Sequence, residues 1–158
     1  MRLSNLRLFL ALALSLCLVM PAFAGRQLNK ANGQTVYVPV YSHIYQGIKG
    51  RPYNLSALLS IRNVDAMHSI VVTSVKYYDS QGVVVKEHIV EPMVIGPMST
   101  GEFHVPERDI SGGSGANFTV KWKGTDTVTT PIIQAVMIGT ASTLGISFVC
   151  DGVVVEED

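Results

Sequence analysis

The residue types in this 158-residue chain that could do chemistry gather around one glycine-rich stretch, Ser111-Gly112-Gly113-Ser114-Gly115-Ala116-Asn117. A serine among glycines invites comparison with the nucleophile elbow, G-x-S-x-G on a strand-to-helix turn. Ala116 stands where the last glycine belongs, and a strand pattern follows instead of a helix. A phosphate loop fails too, because the G-x-x-x-x-G-K-[ST] spacing and its lysine are absent. What remains is a cradle: glycines reach φ > 0 and turn successive N–H groups into one concavity. Ser111, Ser114 and nearby Arg108 add donors for a carboxylate, a phosphate or a sugar oxygen. A tight crossover loop whose glycines serve geometry alone carries the same sequence.

Other groups offer less. Glu102 and His104 share a strand face at i, i+2, and with Ser114 they are the set from which a hydrolase would be built. His43, His68, His88 and His104 show no ligand spacing on a shared element, although Met67-His68 sets a thioether beside an imidazole, as soft copper sites do. The alternative to a binding module is therefore a periplasmic hydrolase or metal-binding protein using Ser114, His104, Glu102 or the scattered His and Met. No cofactor motif stands out. Cys150 shares its strand face with Ile146 and Phe148 and reads as a small buried hydrophobe. Tyr37 and Tyr41 fall on one strand face, with Tyr45 and Tyr53 close in sequence; they form either an aromatic platform for a glycan or a partner protein, or a cap on the core.

These groups need elements to position them, and the chain begins with a segment that is not one of those elements. Arg2 and Arg7 precede an apolar run, Leu8 to Met20, and Ala22-Phe23-Ala24 supplies the small residues a leader peptidase reads. Residues 1–24 are expected to be a signal-peptide helix cleaved after Ala24, giving a periplasmic or extracellular protein. No later run is long enough to be an integral membrane segment. Removing Cys17 with the leader leaves Cys150 alone, so packing rather than a disulfide must hold the fold. The formal net charge is zero, and no basic cluster suits nucleic acid or anionic lipid.

Residues 25–34 are polar and without period, and are expected to be a flexible lead to a single domain at 35–158. Val36, Val38 and Val40 alternate with Tyr37, Pro39 and Tyr41, and Pro39 suggests an edge strand. Residues 46–54 read as a loop. Leu55, Ala57, Leu59 and Ile61 form an inward face, Asn63-Val64-Asp65 a turn. Val71, Val75 and Tyr77 are expected on one strand face, with Asp79-Ser80-Gln81-Gly82 as a hairpin turn before a return strand at 83–90. Phe103 and Val105 point inward from the next strand. Phe118, Val120 and Trp122 then alternate with Thr119, Lys121 and Lys123, placing the one tryptophan beneath the glycine-rich loop. Residues 124–131 read as a Thr-rich turn, 132–138 as a strand covered on both faces, and 146–150 with 153–155 as a closing pair.

No sustained 3.6-residue period occurs, and short strands recur with turn signals between them. The fold class is all-β, a single antiparallel sandwich. The portion LLSIRNVDAMHSIVVTSVKYYDSQGVVV with GPMSTGEFHV is similar to immunoglobulin-like β-sandwich domains. VYVPVYSHIY, LLSIRN, VTSVKYYDSQG, GGSGANF, AVMIGT and GISF together resemble a secreted bacterial domain-of-unknown-function family, the one numbered three-one-two-four. The resemblance implies a bacterial exported protein and brings no activity, ligand or partner. It also makes the Asn54–Ser56 and Asn117–Thr119 glycosylation patterns coincidental. The expected function is an exported, non-enzymatic binding or structural module, with Ser111 to Asn117 as recognition loop and a protein, glycan or small anion as ligand.

Overall fold

The computed structural model describes residues 29–140 and 145–157; the leader expected at 1–24 lies outside the described residues. The strands run β1 Lys30–Pro39, β2 His43–Gln46, β3 Arg51–Asn54, β4 Ser56–Arg62, β5 Ile70–Tyr78, β6 Val84–Glu87, β7 Met93–Ile95, β8 Thr100–Val105, β9 Asn117–Thr129, β10 Ile132–Gly139, β11 Ile146–Asp151 and β12 Val153–Glu157. The larger sheet has the order β12-β1-β9-β5-β6, with β7 also on β5; the smaller is β11-β10-β4-β8; β2 and β3 pair only with each other. All pairings are antiparallel. The molecule is an all-β antiparallel sandwich.

The core lies between the sheets. From one side come Val36, Val38, Ile70, Val72, Val75, Tyr77, Phe118, Val120 and Trp122, and from the other Leu59, Ile61, Ala135 and Met137, all at most 5% exposed. The alternation expected for β4, β8 and β9 is present. That of β5 is not: a bulge between Val72 and Ser74 shifts the phase by one residue, so Ile70 and Val72 point inward and Val71 does not. A single-parity reading cannot see an inserted residue.

Other boundaries also differ from the expectation. The polar residues Lys30–Gln34 are not part of a flexible lead but the first half of β1, because they pair with the far end of a β9 that continues to Thr129, and the expected turn at 124–131 shrinks to Thr130 and Pro131; residues 25–28 lie outside the described residues. β1 lies inside its sheet rather than at an edge. Pro39 is tolerated there because Val40 N–H points toward β9, onto Ala116 O, so alternation turns the Pro39 nitrogen to the β12 side, where pairing has already ended at Tyr37. The strand β10 is central, but its outer face is only half covered and Ile138 is 42% exposed.

At the end of the sandwich where β4 finishes, Asn63-Val64-Asp65 does more than turn the chain. Asn63 is 2% exposed, and its Nδ2 donates toward His68 O (2.8 Å), Gly96 O (2.9 Å) and Ile95 O (3.1 Å), while Asp65 N donates to Asn63 Oδ1 (3.0 Å). One oxygen of Asp65 accepts the amides of Met67 and His68, both at 2.9 Å, and His68 Nδ1 at 3.1 Å; the other accepts Thr129 N at 3.0 Å. Two residues thus tie the ends of β4, β7 and β9 to the start of β5.

The backbone amide of Thr129, then those of Met67 and His68, hold the Asp65 carboxyl well below its ordinary value of 3.8. A carboxylate lowered on folding stabilises the native state above its unfolded pKa, and that contribution is lost as the pH falls below about 4. Asp65→Asn keeps one acceptor oxygen where two are used and sets an NH2 against a donor. It should lower the urea midpoint near pH 7, and the gap from the parent protein should narrow between about pH 5 and about pH 3. A gap independent of pH would show that the charge of Asp65 does not matter.

Candidate functional site

The glycine-rich loop joins β8 to β9 and lies against Tyr77, near the end of β5. Tyr77 is 2% exposed, its ring 5.0 Å from that of Phe118 and its hydroxyl 2.8 Å from Ser42 Oγ. Burial, above all, holds this phenol above its ordinary pKa of 10.0, so it stays protonated. Gly112 rests on the phenol: a Cβ there would fall 1.9 Å from Tyr77 Oη, closer than any two such atoms can approach. Gly113 has φ +78°, and its Cβ would lie 2.6 Å from Ser80 Oγ.

Two neighbouring connections then fasten the loop. Ser80, in the β5–β6 turn, donates from N (3.0 Å) and Oγ (3.1 Å) to Gly112 O, and its Oγ accepts Gly115 N at 2.9 Å. That turn is itself fixed by Asp79 Oδ1, which accepts Gln81 N at 2.9 Å and Val83 N at 2.8 Å. Ser42, after β1, donates from N to Gly113 O at 2.9 Å and accepts Leu55 N at 2.9 Å, linking the loop to the start of β4. The residue beneath the loop is therefore Tyr77. Trp122, expected there, sits further along β9 opposite Gln34 and Val72, 1% exposed, with its indole N–H unpartnered.

Most donors of the concavity expected to hold an anion are engaged within the loop or by Ser80. Ser111 N donates to Asp109 Oδ1 at 3.1 Å, and Ser111 Oγ donates to the same oxygen. Gly113 N donates to Ile110 O at 3.3 Å, and Gly115 N to Ser80. The carboxylate that this loop binds is its own. Arg108 and Ser114 stay exposed on its rim, and Asn117 is half-buried in the ladder between Pro39 and Tyr78.

The remaining candidates are dispersed. Glu102 and His104 are exposed on β8 opposite Ser60 and Leu58, and among the described residues no hydrogen bond joins either to Ser114. His68 is engaged with Asp65, and His88 is packed between Phe103, edge-on at 5.4 Å, and Phe118, tilted at 5.5 Å, burial and then Lys86 lowering its pKa. Among the described residues no three His, Cys, Asp or Glu side chains are grouped to hold a metal. Burial pushes the half-buried Cys150 thiol up. The structure separates Tyr37, 36% exposed on the outer face of the larger sheet, from Tyr41, which turns in edge-on against Phe148 at 5.8 Å.

Beside this region lies an element formed in part by residues 46–54, expected as a loop. β2 and β3 form an arm whose turn carries Gly47 and Gly50 at φ +67° and +56°. Its base is anchored: Tyr53 is 2% exposed against Leu55 and Gly139, where a Cβ would meet the Tyr53 ring at 2.2 Å. Its tip is not, since Tyr45 is 63% exposed and Ile48 fully so. The rings of His43 and Tyr45 meet edge-on at 5.3 Å. Glycines at 47 and 50 between two stretches with tyrosines were the available signal.

The pairing and packing define an antiparallel sandwich domain with a locked crossover loop and a projecting arm at one end. The family model described as "Protein of unknown function (DUF3124)" matches residues 33–155, and the chain belongs to that family. Among curated proteins none matches. A solved structure, the crystal structure of Thermotoga maritima 1070, is similar at 16% identity and a TM-score of 0.43, covering 82% of this chain and 99% of that one. So distant a likeness adds nothing to the strand pairing.

Gly112→Ala and Gly113→Ala should each cost about 1 to 3 kcal/mol, because the side chain meets Tyr77 or Ser80 or demands an unfavourable φ. Ser114→Ala should stay within about 0.5 kcal/mol of the parent. Urea denaturation of the three variants checks this, and a tolerant Gly112 would contradict the contact with Tyr77.

Proposed function

We propose that the protein is an exported, non-enzymatic recognition module that contacts a protein partner through the β2–β3 arm, with Arg108 and Ser114 of the glycine-rich loop on the adjoining rim. The observation that carries this reading is the arm itself. A two-stranded hairpin is marginal alone; this one is anchored by the buried Tyr53 and projects Tyr45 and a fully exposed Ile48. Lone exposed hydrophobes are ordinary on protein surfaces. An isoleucine at the tip of an arm paired with neither main sheet, next to an exposed tyrosine, is a more specific arrangement, and tyrosine is enriched in interface cores. Lys49 and Arg51 flank the tip, which favours a partner with an apolar pocket bordered by acids. The Arg2, Arg7 and Leu8–Met20 pattern with Ala22 and Ala24 supports export.

A photo-crosslinking amino acid placed at Ile48 of the protein in its producing bacterium should give a discrete adduct with another protein. The same probe at Thr100, exposed at the opposite end of β8, should not. Tyr45→Ala in the Ile48-probe protein should reduce the yield while the thermal midpoint holds. An adduct absent at 48, or identical from both positions, would contradict the reading.

A further inference from the structure

On another side of the sandwich a cleft of about 350 Å3 opens between β1, β12 and the start of β10, a size at the lower end of small-molecule sites. Its inner wall interrupts a pattern. The inward row of β1 reads Gln34, Val36, Val38, and Gln34 is only 5% exposed where a further valine would pack. An amide buried in an aliphatic row is unfavourable unless it is hydrogen-bonded. Gln34 Nε2 donates to Glu157 Oε1 at 3.0 Å, across the ladder register that sets Gln34 opposite Glu157.

The charges beside the cleft are arranged unequally. Glu156, the neighbour of Glu157 on β12, is engaged on the other face of the strand: its carboxylate accepts Thr35 Oγ1 at 2.9 Å and pairs with Lys121 at 3.5 Å. Glu157 has no cationic partner among the described residues, and no Lys or Arg lines the cleft. An exposed carboxylate, bonded among the described residues by a neutral amide, therefore borders a largely polar space floored by Val36 and Ile133, each 5% exposed, and edged by Val154, 42% exposed, with Thr130 at the lip.

We propose that this cleft binds a small organic ammonium ion, its charged end on Glu157 and the Gln34 amide and its alkyl body along the exposed Val154. A carboxylate or phosphate ligand would meet Glu157 as a like charge, and a neutral alcohol would leave that charge without a counterion. The site is separate from the arm and stands or falls independently of it.

The probe is n-butylammonium, titrated into the 15N-labelled protein and followed by amide NMR. Saturable shifts should appear at Ile133 and Gly152, whose amide donates to Ile133 O at 2.8 Å, with Kd on the order of 1 mM for so small a ligand. Butyrate and n-butanol should give no saturable shift there. Glu157→Gln, which keeps a hydrogen-bonding group and removes the charge, should weaken binding by about tenfold or more. Val154→Lys, which sets a cation at the mouth and leaves the Gln34–Glu157 bond alone, should weaken it comparably, and it decides the matter if Glu157→Gln alters the fold. No saturable shift with n-butylammonium, equal response to the three probes, or undiminished binding in a folded variant would overturn the proposal.

Discussion

The contact between the Tyr77 hydroxyl and Gly112 is the constraint on which the glycine-rich end of this molecule depends. A phenol oxygen lies 1.9 Å from where any other residue at 112 would carry its Cβ, so only a glycine lets the loop descend onto the core at that point. Once there, Gly112 O comes within reach of Ser80, and Gly113 O within reach of Ser42. Ser42 in turn bonds the Tyr77 hydroxyl and Leu55 N, which positions the base of the arm. One buried aromatic with a polar tip thus sets the relative placement of three connections that are far apart in sequence.

The opposite end is fixed by another polar device. Asn63 and Asp65 satisfy carbonyls and amides from four chain segments in a region where unpaired backbone groups would be costly. Between the two ends the interior is almost wholly aliphatic and aromatic, and non-directional packing of that kind would tolerate small slips of one sheet on the other. The directional bonds at both ends remove that freedom. The arm tip, the loop rim and the cleft beside β12 take no part in these bonds.

Much of the fold was legible because period-two alternation is a local property: Leu55 to Ile61, Phe103 with Val105, and Phe118 to Trp122 all face the core as their parity indicates. What escaped had non-local causes. The bulge at Thr73 inserts a residue and inverts the parity of Ile70 and Val72. Lys30–Gln34 have no apolar period, and become strand only because β9 is long enough to pair with them. At the site, the glycines advertised unusual backbone but not its purpose, since Tyr77, Ser80 and Ser42 lie some thirty to seventy residues away. Asp109 belongs to no motif, yet its position on Ser111 decides what the loop holds. The arm and the Gln34–Glu157 cleft were hidden for the same reason, one in a glycine-punctuated stretch and the other in a pairing 123 residues apart.

The central claim is that the glycine-rich loop is locked by internal bonds and is not an open cradle. Amide hydrogen exchange tests it most directly. Gly115 N donates to Ser80 Oγ at 2.9 Å, whereas Ser114 N has no acceptor among the described residues. The Gly115 amide should exchange more slowly than that of Ser114 by about tenfold or more, and Ser80→Ala should erase the difference while the core strands stay protected. Exchange of both amides at the rate of an unstructured peptide in the parent protein would contradict the account.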